Sequence, residues 1–475
     1  MGAVGKFFIR LFSSCSVLRI YGEVMASKTD LLKTISNEFS KAQKTGLAQW
    51  RPPKGEISFP PLLPVGNGEQ LAATNDLLKA VDGYANLLLR NSPELKSSFS
   101  SREFRSVVEL AFGRTLNSLQ SNHPNAGSLG TAVDATIQDE IDSRKKDTGL
   151  LVGCWLFEDL SAYPITLGPV AFQPRLAWLG RQILAGNLSK TTARRLQKTW
   201  SGERVGRRKS GWDSYKERAI GDAIDRCPII CQVTTHGLSS DLVRQKGLLA
   251  ARIAMAALSL PWQNSQQALE RMNLIYDGPP RSRHYAVMSG SRFGSGSSVV
   301  TTPFGQHSQG PLKPSLTQFQ PTFDIIGEAL AAYVNPHATV QRPQIANAIF
   351  LSAWWFYEGC REISDQMAVT AFAASLDALA AGGNAGGIKE LIEARLGIAP
   401  SGSLMNDGRT ASSVVDAVYN AARSRFIHGS SVDFVEDWTA LRTTAMVVSR
   451  LMLLQITYWL HQNPAVYEVK DIRKK

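Results

Sequence analysis

In the last third of the chain, apolar residues recur at three- and four-residue steps, the spacing that marks one face of a helix. The pattern predicts helices over 323–334, 345–357, 388–396, 411–427 and 434–460. A further helix runs from a cap at Ser364-Asp365 through Phe372, Leu376 and Leu379 to Gly382-Gly383. Residues 397–410 read as a loop, and Ser430-Ser431 stands where the last helix wants its cap. Long helices joined by short turns, each with a wide apolar face, argue for a helical bundle.

Upstream the pattern is mixed. Residues 29–147 read as helical with breaks: an amphipathic piece over 31–42, then strong helices over 70–90 and 104–119. Between the first two, Pro52, Pro53, Pro60, Pro61 and Pro64 mark an extended, turn-rich linker. The texture changes at Gly149. Residues 150–157 are an apolar run of strand length, 164–172 are turn-rich and strand-compatible, and 228–235 and 283–288 read as strands. A helix over 240–258 carries a small-residue face that includes Ala250, Ala254 and Ala257. Residues 290–311 read as a Gly/Ser/Thr-rich loop that lacks the Gly-Lys-Ser/Thr of a phosphate loop. The expected fold class is therefore multidomain: an all-α C-terminal bundle over 322–465, a mixed α+β region over 148–320 and a helical N-terminal part over 29–147.

Composition changes this picture in one respect. A net charge of +12 over 475 residues favours a polyanionic partner, either nucleic acid or a membrane surface. The charge peaks in a basic loop expected over 190–218, where Trp200, Trp212 and Tyr215 are interleaved with the cations. Cations track phosphates and flat rings stack on unpaired bases, so the mixture suits a single-stranded nucleic acid. Arg194, Arg195, Lys198, Arg207, Arg208, Lys209 and Trp212 are the candidate contacts, and a merely solvated basic loop is the alternative. A membrane span is not expected, because the late apolar run over 445–460 is short and carries Ser449, Arg450, Gln455 and Thr457.

Five scattered cysteines do not make a disulfide framework and point to a reducing compartment, the cytoplasm. Cys227 and Cys231 with His236 offer three metal ligands without a fourth, so buried thiols beside a strand are the expectation, with no metal and no cofactor. Residues 1–28 read as a leader or as an overextended start ahead of Met25.

The candidate chemistry lies in the helix over 411–427. Val415, Val418, Ala422 and Phe426 share one face, and Gly429 stands where a left-handed cap wants no Cβ. Arg423 and His428 are five residues apart, about 140° around an ideal helix. They converge if the last turn loosens at His428-Gly429 or if a second chain completes the site. The plainer alternative is a solvated Arg423 and a His428 that meets the negative end of the helix dipole.

The string Tyr419-x-x-x-Arg423-Ser424-x-Phe426-Ile427-His428-Gly429 resembles the signature of the HEPN superfamily (higher eukaryote and prokaryote nucleotide-binding), in particular its Apea-like branch. The resemblance covers roughly residues 343–459, and Pro164-Ile165-x-Leu167-Gly168 is similar to the extended stretch that precedes the helical domain in that branch. It implies a helical bundle, metal-independent RNA cleavage, pairing of two copies as a homodimer, and a role in prokaryotic anti-phage defence or stress response. Arg423 and His428 are then catalytic, with Ser424, Asn420 and Asp377 supporting. Asp377 falls at a family position that more often holds glutamate. Histidine titrates near neutrality and suits transfer of the 2′-hydroxyl proton. The arginine fork supplies permanent positive charge where the phosphorane charge develops. Two other readings remain open: a non-catalytic HEPN-like module that binds nucleotide, RNA or a protein partner, and a purely structural helical adaptor.

Overall fold

A computed structural model describes residues 27–45, 60–119, 126–144, 147–278, 282–289, 292–299, 312–424 and 437–474. The chain divides into two compact units, residues 1–93 with 101–141, and residues 94–100 with 142–475.

The first unit contains α1 (Lys28–Thr45), β1 (Leu62–Gly66), β2 (Glu69–Ala72) and α2 (Asn75–Asn91). After α3 (Pro93–Ser98), most of which belongs to the second unit, it adds α4 (Ser101–Ser118) and α5 (Ala126–Arg144). Two expectations are corrected here. The proline-marked linker ends in an antiparallel hairpin, with Leu62 opposite Ala72. Gly66, Asn67 and Gly68 all take positive φ, which turns the chain between the two strands. The helix expected from residue 70 accordingly starts at Asn75, where the Thr74 hydroxyl accepts from the Leu77 amide and caps it. Tyr84 and Phe112 meet edge to face in the core, 5.2 Å apart.

The second unit is built around a five-stranded antiparallel sheet in the order β4-β5-β6-β3-β7. In chain order it contains β3 (Thr148–Trp155), β4 (Ile165–Leu167), β5 (Val170–Pro174), α6 (Arg175–Leu184), α7 (Lys190–Trp200) and α8 (Trp212–Ile224). Next come β6 (Ile229–Thr235), α9 (Ser240–Ser259), α10 (Ser265–Arg271) and β7 (Asn273–Leu274). Alternation along β6 gives the sheet two apolar faces. Ile229, Cys231 and Val233 join the main core with α9, while Ile230 joins a second cluster with Trp178, Leu179, Leu196 and Ile224 from α6, α7 and α8. Gly153 lets α8 close on the sheet: a Cβ there would lie 2.5 Å from the Ile224 carbonyl oxygen. The basic segment 190–218 is thus no loop. It is α7, a short connection and α8, held to the sheet by buried apolar residues.

Beyond β7 stands a separate hairpin of β8 (Ser282–Ser289) and β9 (Arg292–Val299), paired from Ser282↔Val299 to Ser289↔Arg292. Its second strand occupies part of the stretch expected to be loop.

The rest is helical: α11 (Leu312–Thr317), α12 (Gln320–Val334), α13 (Pro343–Arg361), α14 (Asp365–Leu379) and α15 (Asn384–Leu396). Then follow α16 (Ala411–Val415), which continues with π-winding over Asp416–Ser424, and α17 (Thr439–Gln462). Ser364 caps α14 as expected, its hydroxyl accepting from the Met367 amide. The expected cap at Ser430-Ser431 lies outside the described residues, and the last long helix is described from Thr439. α13 and α14 pack through Phe356 and Phe372, and the buried hydroxyls of Ser352 and Ser375 pair at 2.9 Å. One core extends from Val152 in the sheet to Ile456 in α17, so residues on both sides of 321 share it.

Candidate functional site

The candidate site begins at the carboxyl end of α14. Asp377 sits in its last turn, and the chain then reverses through Ala381, Gly382 and Asn384, all at positive φ. That reversal brings the Asn384 amide back to donate to Asp377 Oδ1 at 3.0 Å. Asparagine is among the few residues that tolerate this backbone region, so Asn384 both closes the turn and starts α15.

Opposite the turn lies the π-wound segment. The Thr410 hydroxyl caps α16 by accepting from the Ser413 amide at 3.1 Å. From Asp416 to Ser424 the winding is then wider, with hydrogen bonds spanning five residues rather than four. This winding takes in Arg423; His428-Gly429, where a loosened last turn was one of two ways for the pair to converge, lie outside the described residues.

Tyr419 is the centre of what this segment presents. It is 5% exposed. Its hydroxyl accepts from Arg423 Nη1 at 2.6 Å and donates to Asn384 Oδ1 at 2.8 Å, with Asp377 Oδ2 at 3.4 Å. Burial, joined by the charge of Asp377 and opposed by that of Arg423, pushes the Tyr419 hydroxyl above its usual range. Arg423 Nη2 lies 4.0 Å from Asp377 Oδ2, and the guanidinium carbon is 4.7 Å from the Tyr419 ring centroid. Arg423 Nε is buried and has no hydrogen-bond partner among the described residues. The guanidinium is therefore held on one side by a hydroxyl, a ring and a carboxylate, while the Arg423 side chain as a whole stays 30% exposed.

Of the expected supporting residues, Asp377 joins Arg423. Asn420 does not, because its amide donates to Asp416 Oδ1 at 2.9 Å. Asp416 also pairs with Lys389 through both oxygens, at 2.9 and 3.0 Å. The Lys389 ammonium, with smaller help from Ser412 and Asn420, holds the Asp416 carboxyl below the usual range. Ser424 closes the π-wound segment, and His428 lies outside the described residues. Tyr419 and Asn384 were not singled out as site residues. The four-residue spacing of Tyr419 and Arg423 was a usable signal, and so was an asparagine just after Gly-Gly.

The basic candidates separate into two groups. Arg195 Nε pairs with Glu217 at 2.7 Å, and its Nη2 donates to the Gly206 carbonyl at 2.7 Å. Arg208 reaches Thr192 Oγ1 at 2.9 Å and Asp213 at 2.8 Å. These two arginines fasten the 201–211 connection to α7 and α8. Lys198 pairs with Glu203 at 3.4 Å. Arg194, Arg207, Lys209 and Trp212 are exposed.

The cysteine reading also has its geometry. Burial raises the Cys227 thiol to about 12 and pushes the Cys231 thiol well up, while His236 Nδ1 faces Asp147 at 2.9 Å. Among the described residues no group of three His, Cys, Asp or Glu converges as a metal site would need, and no helix is long and apolar enough to cross a membrane. Comparisons of the chain with family models, curated proteins and solved structures returned no match.

Proposed function

We propose that this protein is a metal-independent endoribonuclease that cuts RNA with Arg423 and His428. The observation that carries the reading is the hold on Arg423. Its guanidinium is oriented by Tyr419 and Asp377 and remains partly open to a ligand. A fixed fork of positive charge suits a phosphate whose negative charge grows during reaction. The resemblance of the motif to the HEPN superfamily supports the same reading, as does the basic surface on α7 and α8.

In the proposed reaction the 2′-oxygen attacks the adjacent phosphorus and the bond to the 5′-oxygen breaks. His428 takes the 2′-hydroxyl proton, the leaving 5′-oxygen gains one from solvent, and Arg423 neutralises the phosphorane. The products are a 2′,3′-cyclic phosphate and a 5′-hydroxyl. Pairing of two copies brings two such motifs to one cleft, and the setting is cytoplasmic anti-phage defence or stress response in a prokaryote.

The test is incubation of a mixed RNA pool with purified protein in excess EDTA. The wild type cuts and leaves cyclic-phosphate ends, while Arg423→Ala and His428→Ala do not. Undiminished cutting by His428→Ala removes the assigned site.

A further inference from the structure

We infer that the outer face of α8, with the connection that precedes it, is a docking platform for unpaired RNA. Trp212 and Tyr215 lie one turn apart on α8 with rings nearly parallel, 12° between planes and 5.3 Å between centroids. They are 69% and 57% exposed. Large rings left this far in water are what an interaction surface presents, not what a core leaves over. Together they form one flat apolar step, on which unpaired bases stack whatever their sequence.

One cation lies at this step, and others line a groove formed by the same helix and the connection before it. Lys216 Nζ lies 5.8 Å from the Trp212 ring centroid and is anchored by the Asn187 carbonyl at 3.0 Å. Arg207 and Lys209, just ahead of Trp212, are exposed. With Arg218 they line an open groove of about 1030 Å³ that takes in Ser214 and Glu217 of α8 but neither Trp212 nor Tyr215, so the groove and the aromatic step are separate parts of the surface. Three acids line it too, Glu217, Asp222 and Asp225, but Glu217 is occupied by Arg195 and Arg208. The Arg195–Glu217–Arg208 cluster therefore shapes the connection, and the outward cations are left for phosphates. A duplex buries its base faces and cannot use the aromatic step. An acidic polypeptide has nothing flat to lay on it.

The choice of RNA over DNA rests on the ribonuclease reading, whereas the platform itself rests on α7 and α8. The experiment is fluorescence anisotropy of full-length protein with a short labelled oligouridylate at several salt concentrations. A deoxy strand, an RNA duplex and polyglutamate serve as competitors. The expected result is salt-dependent binding to the single strand, with RNA competing at least as well as DNA and duplex competing poorly. Trp212→Ala with Tyr215→Ala weakens affinity at least about tenfold. Arg207→Ala and Lys209→Ala each lower the salt slope by about one. Melting curves check that the surface variants remain folded. Unchanged affinity in the aromatic variant, or competition by duplex or polyglutamate equal to that of single-stranded RNA, overturns the platform. Tighter binding of the deoxy strand overturns its assignment to RNA. None of these readouts requires cleavage, so a failure here is distinct from failure of the nuclease.

Discussion

Two cationic regions of the larger unit hold their charges in opposite ways. At the π-wound segment one guanidinium, Arg423, is flanked by Tyr419 from its own segment and Asp377 from α14. On α7 and α8 many cations share one surface, three of them tied to carboxylates and several turned to solvent. A group that must meet one phosphate oxygen at one moment needs neighbours that fix it. A surface that follows a strand works through number and reach, with mobile side chains. Charge count would have chosen the second region alone. Partner geometry distinguishes the first.

The comparison is broken most strongly at Arg423 itself. Arg423→Ala is expected to lower RNA cleavage by about 10²–10³-fold, the scale of losing a donor aimed at developing negative charge. Arg423→Lys recovers little of it, because an ammonium does not reproduce the planar fork. Single-turnover rates in EDTA measure both, and a lysine variant near wild-type rate would mean that fixed geometry is not what matters there.

Gly153→Ala tests the opposite region through its foundation. The new methyl group meets the Ile224 carbonyl oxygen at 2.5 Å. Overpacking of this kind costs about 1–3 kcal/mol, read as a lower urea midpoint. An unshifted midpoint would mean that α8 does not press on β3 as described.

A smaller effect is expected from Tyr419→Phe. It removes the acceptor of Arg423 Nη1 and the donor to Asn384, yet keeps the ring beneath the guanidinium. Cleavage falls by about tenfold, less than on losing Arg423, because the cation remains but is less well aimed. Wild-type cleavage by this variant would leave Tyr419 without a positioning role.

The smallest effect is in acid. Asp416 is held below its usual range chiefly by Lys389. A carboxyl depressed in the folded state adds stability above its unfolded pKa and loses it as pH falls through the folded one. Wild type and Asp416→Asn therefore differ by a constant amount down to about pH 5, and the gap closes below about pH 4. Melting temperatures across that window check it; a gap that persisted at the acid end would contradict the pairing.

Much of the helical framework was legible because it rests on local rules. The Ser364 cap, the core helix through Trp354 and Trp355 and the small-residue helix α9 follow from spacing and cap chemistry. What was missed obeys less local rules. The strand β1 contains Pro64, which reads as a linker until its pairing with Gln70 is known. The strand β9 reads Arg-Phe-Gly-Ser-Gly-Ser-Ser-Val, weak in β propensity, and takes its form from β8. The basic segment looked like a loop because its polar residues outnumber the few, such as Ala193 and Leu196, that it packs against the sheet. At the site, the resemblance set Asp377 near Arg423, but residue spacing did not show how they meet. Their meeting depends on a turn at Ala381–Asn384 and on π-winding, and a three- and four-residue apolar spacing reveals neither.

The most direct test of the account measures one variant in two ways. His428→Ala and wild type are compared on the same labelled RNA in EDTA, for cleavage at saturating protein and for affinity by anisotropy. If holding and cutting belong to different regions as proposed, the variant loses cleavage by about 10²-fold or more and keeps its affinity within about twofold. Cleavage by His428→Ala at the wild-type rate would contradict it.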